Sequence, residues 1–431
     1  MSSNLENYSL ALRLQHEQKY KEAIELAGKI SRPEFRATIL IDSGNDTGKP
    51  RLVREGIELL ETALKGDQKK ISRASLLYNI GNGYSALYKL RRQKGVRVIA
   101  PNDDDLRMAK KAYREALAET KDAPPSLRSQ ILVNYGNCLS ALGRSIEAVQ
   151  AYQSALDIEP KNGMAAGNLG IQLERVARIT GRYTHHYIMA AQEALKTACG
   201  HEMHLSYGGI DAAPRFDQTL HRLQRLIDVH EDRLQPLEKI APPQNRTARS
   251  RYTQFCLKHR LFLNAWVGDQ SVTPARSDEI AFGPITTSLD DDQTVPELLR
   301  IFNEIKEAYT TARYLFYLSE SSSRCLDDIS DITNYFDAEF EDLHGLYIGL
   351  CKSAYMRSFD VLDKVARIVN VYFKIGKRMD SFGTCLQRNS LEANRMRCGL
   401  YHAPQLLKLE TTASMRSQTS VSTTLRASMS I

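Results

Sequence analysis

Three hexapeptides in the first half of the chain set the tightest limit on its fold: NIGNGY at 79–84, NYGNCL at 134–139 and NLGIQL at 168–173. Their central glycines are Gly81, Gly136 and Gly170, and the last two stand 34 residues apart. A period of that length is one pair of antiparallel helices, which cannot bury its apolar face alone and stacks on copies of itself. From Gly136 a second helix follows with Ala148, Tyr152 and Ala155, and Pro160 ends it. A glycine at a helix crossing lets two backbones approach, alanines keep the facing helix slim, and proline cannot continue it.

These residues resemble a complete tetratricopeptide repeat, and the neighbouring units are looser versions of it. Gly81 is followed by Ala109, Tyr113, Ala116 and Pro124, with an insertion at about 91–105 between the two helices. After Gly170 the second helix is delayed, and Ala191, Ala194 and Leu195 form its inner face. Tyr20 with Ala23, and Gly56 with Leu60 and Ala63, fit two degenerate units upstream. About five units are expected over residues 1–200.

Composition narrows the class. Hydrophobic residues are 42% and charged residues 25%, so wholesale disorder is excluded. No run of about 18 apolar residues occurs, so no membrane-spanning helix is expected. The opening MSSNLENYSL does not read as a secretory signal. The net charge of +7 permits a polyanionic partner without demanding one. Seven scattered cysteines, no two within four residues of each other, argue against a disulfide framework or a zinc ribbon and point to a reducing cytoplasm.

In the middle, 217–240 carries Leu220, Leu223, Ile227 and Leu234 at helical spacing and reads as an amphipathic helix capping the array. Pro274, Gly283, Pro284, Pro296 and the triplet Asp290, Asp291 and Asp292 mark a loop with a solvated acidic tip. Cys199, His201 and His204 raise zinc, but HEMH is one residue short of a zincin motif and reads as a helix end. No metal or other cofactor is expected.

The second half is patterned for long helices. Leu298, Phe302, Ile305, Tyr309, Ala312 and Phe316 share one helical face, as do Leu362, Val365, Val369 and Tyr372. The stretch 331–355 is read as mostly helical too, giving a bundle of four or five helices. Four segments, YTQFCLKHRLFLN at 252–264, FNEIKEAYTTARYLFY at 302–317, VLDKVARIVNVYF at 361–373 and RCGLYH at 397–402, resemble the HEPN superfamily in the branch where tetratricopeptide repeats come first. The last is similar to that family's Arg-x(4–6)-His motif. The resemblance implies a helical bundle that dimerises and cleaves RNA without a metal, with Arg397 and His402 as the catalytic pair. Arg225 with His230, and Arg178 with His185, fit the same loose spacing but do not follow the VLDKVARIVNVYF helix. The family commonly has a small polar residue after the motif Arg, where this chain has Cys398.

The chemistry asked of the pair is definite. Metal-free cleavage needs the adjacent 2′-hydroxyl to lose a proton while the phosphorane gains charge. A histidine titrating near its ordinary pKa of about 6.5 exchanges that proton at neutral pH. An always-charged Arg grips two phosphate oxygens through its planar fork. Residues five apart on one straight helix diverge by about 140°, so either Gly399 bends the chain or two copies share the site.

The expected architecture is all-α: a tetratricopeptide solenoid over 1–200, capping and linking helices over 201–245, a HEPN-like helical domain over 246–410 and a disordered Ser/Thr-rich tail over 411–431. The function implied is a cytoplasmic, homodimeric, metal-independent endoribonuclease acting on RNA, its repeats holding a protein partner or positioning the RNA. The alternative is a repeat-scaffold adaptor whose bundle binds RNA or protein without cutting; Cys398 and the short stretch after His402 favour it.

Overall fold

A computed structural model describes residues 2–66, 70–93, 103–120, 123–181, 183–200, 212–228, 241, 247–268, 272–281, 294–321, 335–337 and 342–373. The chain divides into two compact units: residues 1–244 with 262–280, and residues 245–261 with 281–431.

The first unit is a succession of helix pairs. These are α1 (Ser2–His16) with α2 (Tyr20–Ala27), α3 (Pro33–Asp46) with α4 (Pro50–Leu64), and α5 (Lys70–Gln93) with α6 (Asp104–Ala118). They continue with α7 (Pro125–Ala141) and α8 (Ser145–Ile158), then α9 (Gly163–Thr180) and α10 (Thr184–Cys199). Proline at the first helical position starts α3, α4 and α7, where its missing N–H costs nothing. Asn162 starts α9 by accepting the Ala165 N–H at 3.0 Å.

The glycine rule read from the sequence has a direct structural cause. A Cβ at Gly81 would lie 2.5 Å from a Tyr113 ring carbon, and one at Gly136 would lie 2.5 Å from a Tyr152 ring carbon. Each pair of helices is therefore closed by a tyrosine ring laid on bare backbone, and both rings are buried. At Gly170 the occupant is Leu195, fully buried beside Ala191, as the sequence pattern places it.

The 91–105 insertion is clasped at its base. One Arg91 guanidinium nitrogen reaches both Asp103 oxygens at 2.8 Å, and Asp103 also accepts the Leu106 N–H at 3.0 Å as the cap of α6. The Asp103 carboxylate is buried, so this pairing is a condition of its burial.

Helix α11 (Ala213–Asp228) ends the array. Phe216 and Leu223 are fully buried against α9 and α10, and Leu220 is partly buried beside them, as a cap requires. Residues 229–240, with Leu234, lie outside the described residues.

Segment 262–280 was expected within the second domain, yet it packs on the first unit. Val267 is buried in the terminal core of the array, and Trp266 stacks on Tyr187 with ring centroids 5.4 Å apart. Tyr187 accepts the Val267 N–H at 3.0 Å and donates to the Ala265 carbonyl; burial pushes its phenol up to about 12. The segment closes on itself, Asp278 accepting the Leu263 N–H at 2.7 Å and Leu263 accepting the Ile280 N–H at 3.0 Å. It has no helical or strand period, so its destination was invisible in the pattern. Trp266→Ala is expected to lower the array's melting temperature without changing helical content at 25 °C. Circular dichroism against temperature checks this; an unchanged melt would mean the segment rests on the array without supporting it.

In the second unit, α12 (Ala248–Lys258), α13 (Thr294–Ser321) and α14 (Leu346–Tyr372) are the helices among the described residues. Helices α13 and α14 pack on each other over most of their length. The expected helical run from 331 is replaced at its start by a two-stranded antiparallel hairpin, β1 (Tyr335–Asp337) and β2 (Asp342–His344), in register Tyr335 to His344. Aromatic residues favour extended pairing, and Gly345 separates β2 from α14. Of the residues expected on the inner face of α14, Leu362 and Tyr372 are 38% and 62% exposed, because among the described elements α14 is covered mainly along the side that meets α13.

Candidate functional site

Arg397 and His402, with Cys398 and Gly399, lie outside the described residues, as do His201, His204, His230 and Asp290, Asp291 and Asp292. Cys199 closes α10 with its thiol exposed. Arg178 instead approaches Glu174 at 3.9 Å. Among the described residues no group of three His, Cys, Asp or Glu side chains is placed to hold a metal ion.

Two surfaces among the described residues concentrate polar or aromatic side chains. The first is the face formed by the first helices of the pairs. Successive first helices touch one another more closely than successive second helices do, so they line the inner side of the array. Every step along that side carries a polar bridge. Gln15 donates to Ser43 at 2.8 Å, and Asn79 donates to Thr38 at 3.4 Å. Asn134 donates to Tyr78 at 2.9 Å and to Asn82 at 3.0 Å, while Asn168 donates to Asn137 at 3.0 Å. Ser140 donates to Gln172 at 2.7 Å. The tyrosines under the glycines belong to the same network: Tyr113 donates to Asn82 at 2.9 Å and Tyr152 to Asn137 at 2.8 Å.

The Asn in each N-x-G-N stretch is therefore a rung, and the glycine beside it is the crossing point. The ends of this face differ in charge. On α3, crowding by surrounding protein and then the Asp46 carboxylate push Asp42 up to about 7; the side chain still meets water, which limits that rise. At the other end Arg175 donates to the Ser140 carbonyl at 3.2 Å, and Arg222 pairs with Glu174 at 2.6 Å.

The second surface lies between α12 and α13. Their backbones are held apart by rings: Tyr252 meets Tyr317 and Tyr314 at 5.1 and 5.6 Å, and Phe255 meets Tyr317 and Phe316 at 5.3 and 5.4 Å. Arg313 is buried among them, donating to the Tyr252 hydroxyl at 2.8 Å and to the Leu261 carbonyl at 2.9 Å. Partial burial raises the Tyr252 phenol, with Cys256 adding to the rise and Arg313 opposing it. The rings leave an open cleft of about 740 Å³ bordered by Arg251, Lys258, Tyr314 and Tyr317. Sequence reading missed this cleft. Its trace there is the acid-free run ARSRYTQFCLKHR facing tyrosines three apart, Tyr314 and Tyr317.

The family model for LA2681-like HEPN domains matches residues 289–397, a quarter of the chain, and ends on Arg397. No curated protein matches the chain. Among solved structures, a thermophilic TPR protein from Thermus thermophilus is similar at 16% identity and a TM-score of 0.35, covering 50% of this chain and 98% of its own. The TPR2AB domain of yeast Sti1, solved in complex with pHSP90, is similar at 16% identity and a TM-score of 0.22, covering 52% and 99%. At those scores the assignment of the first unit rests on its own helix pairs and glycine crossings. None of the helices among the described residues is long and apolar enough to cross a membrane. The chain is thus an all-α repeat protein in which tetratricopeptide-type helix pairs precede an LA2681-like HEPN domain.

Proposed function

We propose that this protein is a metal-independent endoribonuclease of HEPN type whose repeat array holds an extended segment of a protein partner. The observation that carries the reading is the HEPN match running up to Arg397, the residue that begins RCGLYH. In this reading Arg397 grips the scissile phosphate and His402 exchanges the proton of the 2′-hydroxyl. Cleavage of single-stranded RNA in the presence of EDTA is the direct test. RNA or protein binding with no cleavage under any condition would establish the non-cutting adaptor instead.

The array's part follows from its polar rungs. A carboxamide carries both donor and acceptor groups, complementary to the N–H and C=O of an extended backbone, so the amide groups of Asn79, Asn82, Asn134, Asn137 and Asn168 that the bridges leave over suit a peptide lying along the first helices. A basic residue on the partner segment would favour the Asp42 and Asp46 end by drawing Asp42 back to its charged form.

A homodimer through the HEPN unit completes the reading. Tyr355, Met356, Phe359 and Leu362 form two turns of α14 that are 63%, 67%, 47% and 38% exposed. Large apolar side chains exposed together on one helix face suit a contact between copies, and a two-fold contact would bring the two Arg397 and His402 pairs together. Phe359→Asp is expected to convert the protein to a monomer in sedimentation at micromolar concentration, with its thermal melt little changed. A drop in melting temperature with unchanged mass would mean that the chain covers the stripe itself.

A further inference from the structure

We propose that the cleft between α12 and α13 binds single-stranded RNA, one base stacking on Tyr314 while the neighbouring phosphates meet Arg251 and Lys258. The inference deepens the ribonuclease reading and rests on it for the choice of RNA. It concerns a helix, α12, that lies outside the HEPN match at 289–397.

Three features carry it. The first is charge: 248–260 holds Arg249, Arg251, Lys258 and Arg260 and no carboxylate. One carboxylate, Glu320, also lines the cleft and meets His259 at 3.2 Å, while no ion pair joins Arg251 or Lys258 to a carboxylate among the described residues. Arg251 and Lys258 are seven residues apart, which puts them on one side of α12 about 10 Å from each other along its axis. Two cations at that interval form a track for a polyanion.

The second feature is the platform. Tyr314 is 50% exposed, yet its ring is fixed by Tyr252 at 5.6 Å and Tyr317 at 6.0 Å. A ring held by its neighbours and open to solvent stacks a base with little loss of side-chain freedom. The third is what lies beneath: Arg313, bonded to the Tyr252 hydroxyl and the Leu261 carbonyl, brings positive charge into the floor of the ring cluster. An acidic peptide would use the cations but has no need of the ring, so ring and cations together favour a base with its phosphate.

The test is fluorescence anisotropy with a labelled single-stranded oligouridine, in EDTA, on the full chain carrying His402→Ala so that the probe stays intact. Tyr314→Ala is expected to weaken binding roughly tenfold or more, whereas Tyr314→Phe, which keeps the stacking face, leaves it unchanged. Arg251→Gln with Lys258→Gln is expected to flatten the slope of log K against log salt by about 1.4, the loss of two single-strand phosphate contacts. Each variant's melting temperature separates lost binding from lost folding.

Unchanged affinity in Tyr314→Ala would overturn the cleft while leaving the nuclease reading intact, provided that the chain with His402 restored still cuts. Tyr314-dependent binding by a chain that never cuts would keep the cleft and remove the nuclease. Equal affinity for uridine monophosphate would overturn the strand, and competition by poly-glutamate at equal concentration would overturn RNA as the ligand.

Discussion

His402→Ala is expected to lower RNA cleavage by roughly 10²- to 10⁴-fold, the range supplied by one positioned general acid or base, with RNA affinity nearly intact. Binding survives because an imidazole near neutrality contributes little charge to holding a phosphate. Arg397→Lys keeps the charge but loses the planar fork, so it is expected to impair both cleavage and binding. His230→Ala, in the look-alike Arg225–His230 spacing, is expected to do nothing. Initial rates on a labelled RNA in EDTA, with binding measured separately, decide the matter. Equal rates for all three variants would remove His402 and Arg397 from the chemistry.

Tyr113→Ala is expected to destabilise the array by roughly 3–5 kcal/mol, the cost of truncating a fully enclosed aromatic ring. The ring is 1% exposed, fills the space left by Gly81, and ties α6 to α5 through hydroxyl contacts with Asn82 and Ser85 at 2.9 and 3.2 Å. Burial raises its phenol far above the ordinary value, so it stays neutral at any working pH. Tyr113→Phe keeps the ring and loses only the hydroxyl bonds, a loss of about 1 kcal/mol. Urea unfolding followed by circular dichroism and by the fluorescence of Trp266, the single tryptophan, distinguishes the two. Equal midpoints for the two substitutions would mean that the ring itself contributes nothing at this crossing.

Most of the first unit was legible because its information is local and periodic. Gly136, Tyr152, Ala148 and Ala155 recur at the offsets that two crossing helices require, and the crossing then places each tyrosine on its glycine. The repeat pattern also identified Ala191 and Leu195 on α10, and plain helical spacing identified Leu223 on α11, all buried. In the second unit, FNEIKEAYTTARYLFY and VLDKVARIVNVYF lie within the matched residues 289–397, whereas YTQFCLKHRLFLN lies outside them and RCGLYH shares only its first residue with them.

What only the tertiary structure decided involves residues distant in sequence with no period to announce them. Trp266 and Val267 return to Tyr187, some eighty positions earlier, through a ring stack and a bond from the Val267 N–H to the Tyr187 hydroxyl. The pairing of β1 with β2 depends on cross-strand bonds that a helical period cannot express. The rungs Asn134 to Tyr78 and Asn168 to Asn137 join separate repeats, so a reading of each repeat by itself sees a solvated amide. Arg313 reads in sequence as the polar side of a helix and is buried in the fold, because the Tyr252 hydroxyl and the Leu261 carbonyl satisfy its donors. Local spacing determined which helices form; the pairing of polar groups across the chain decided which surfaces they build.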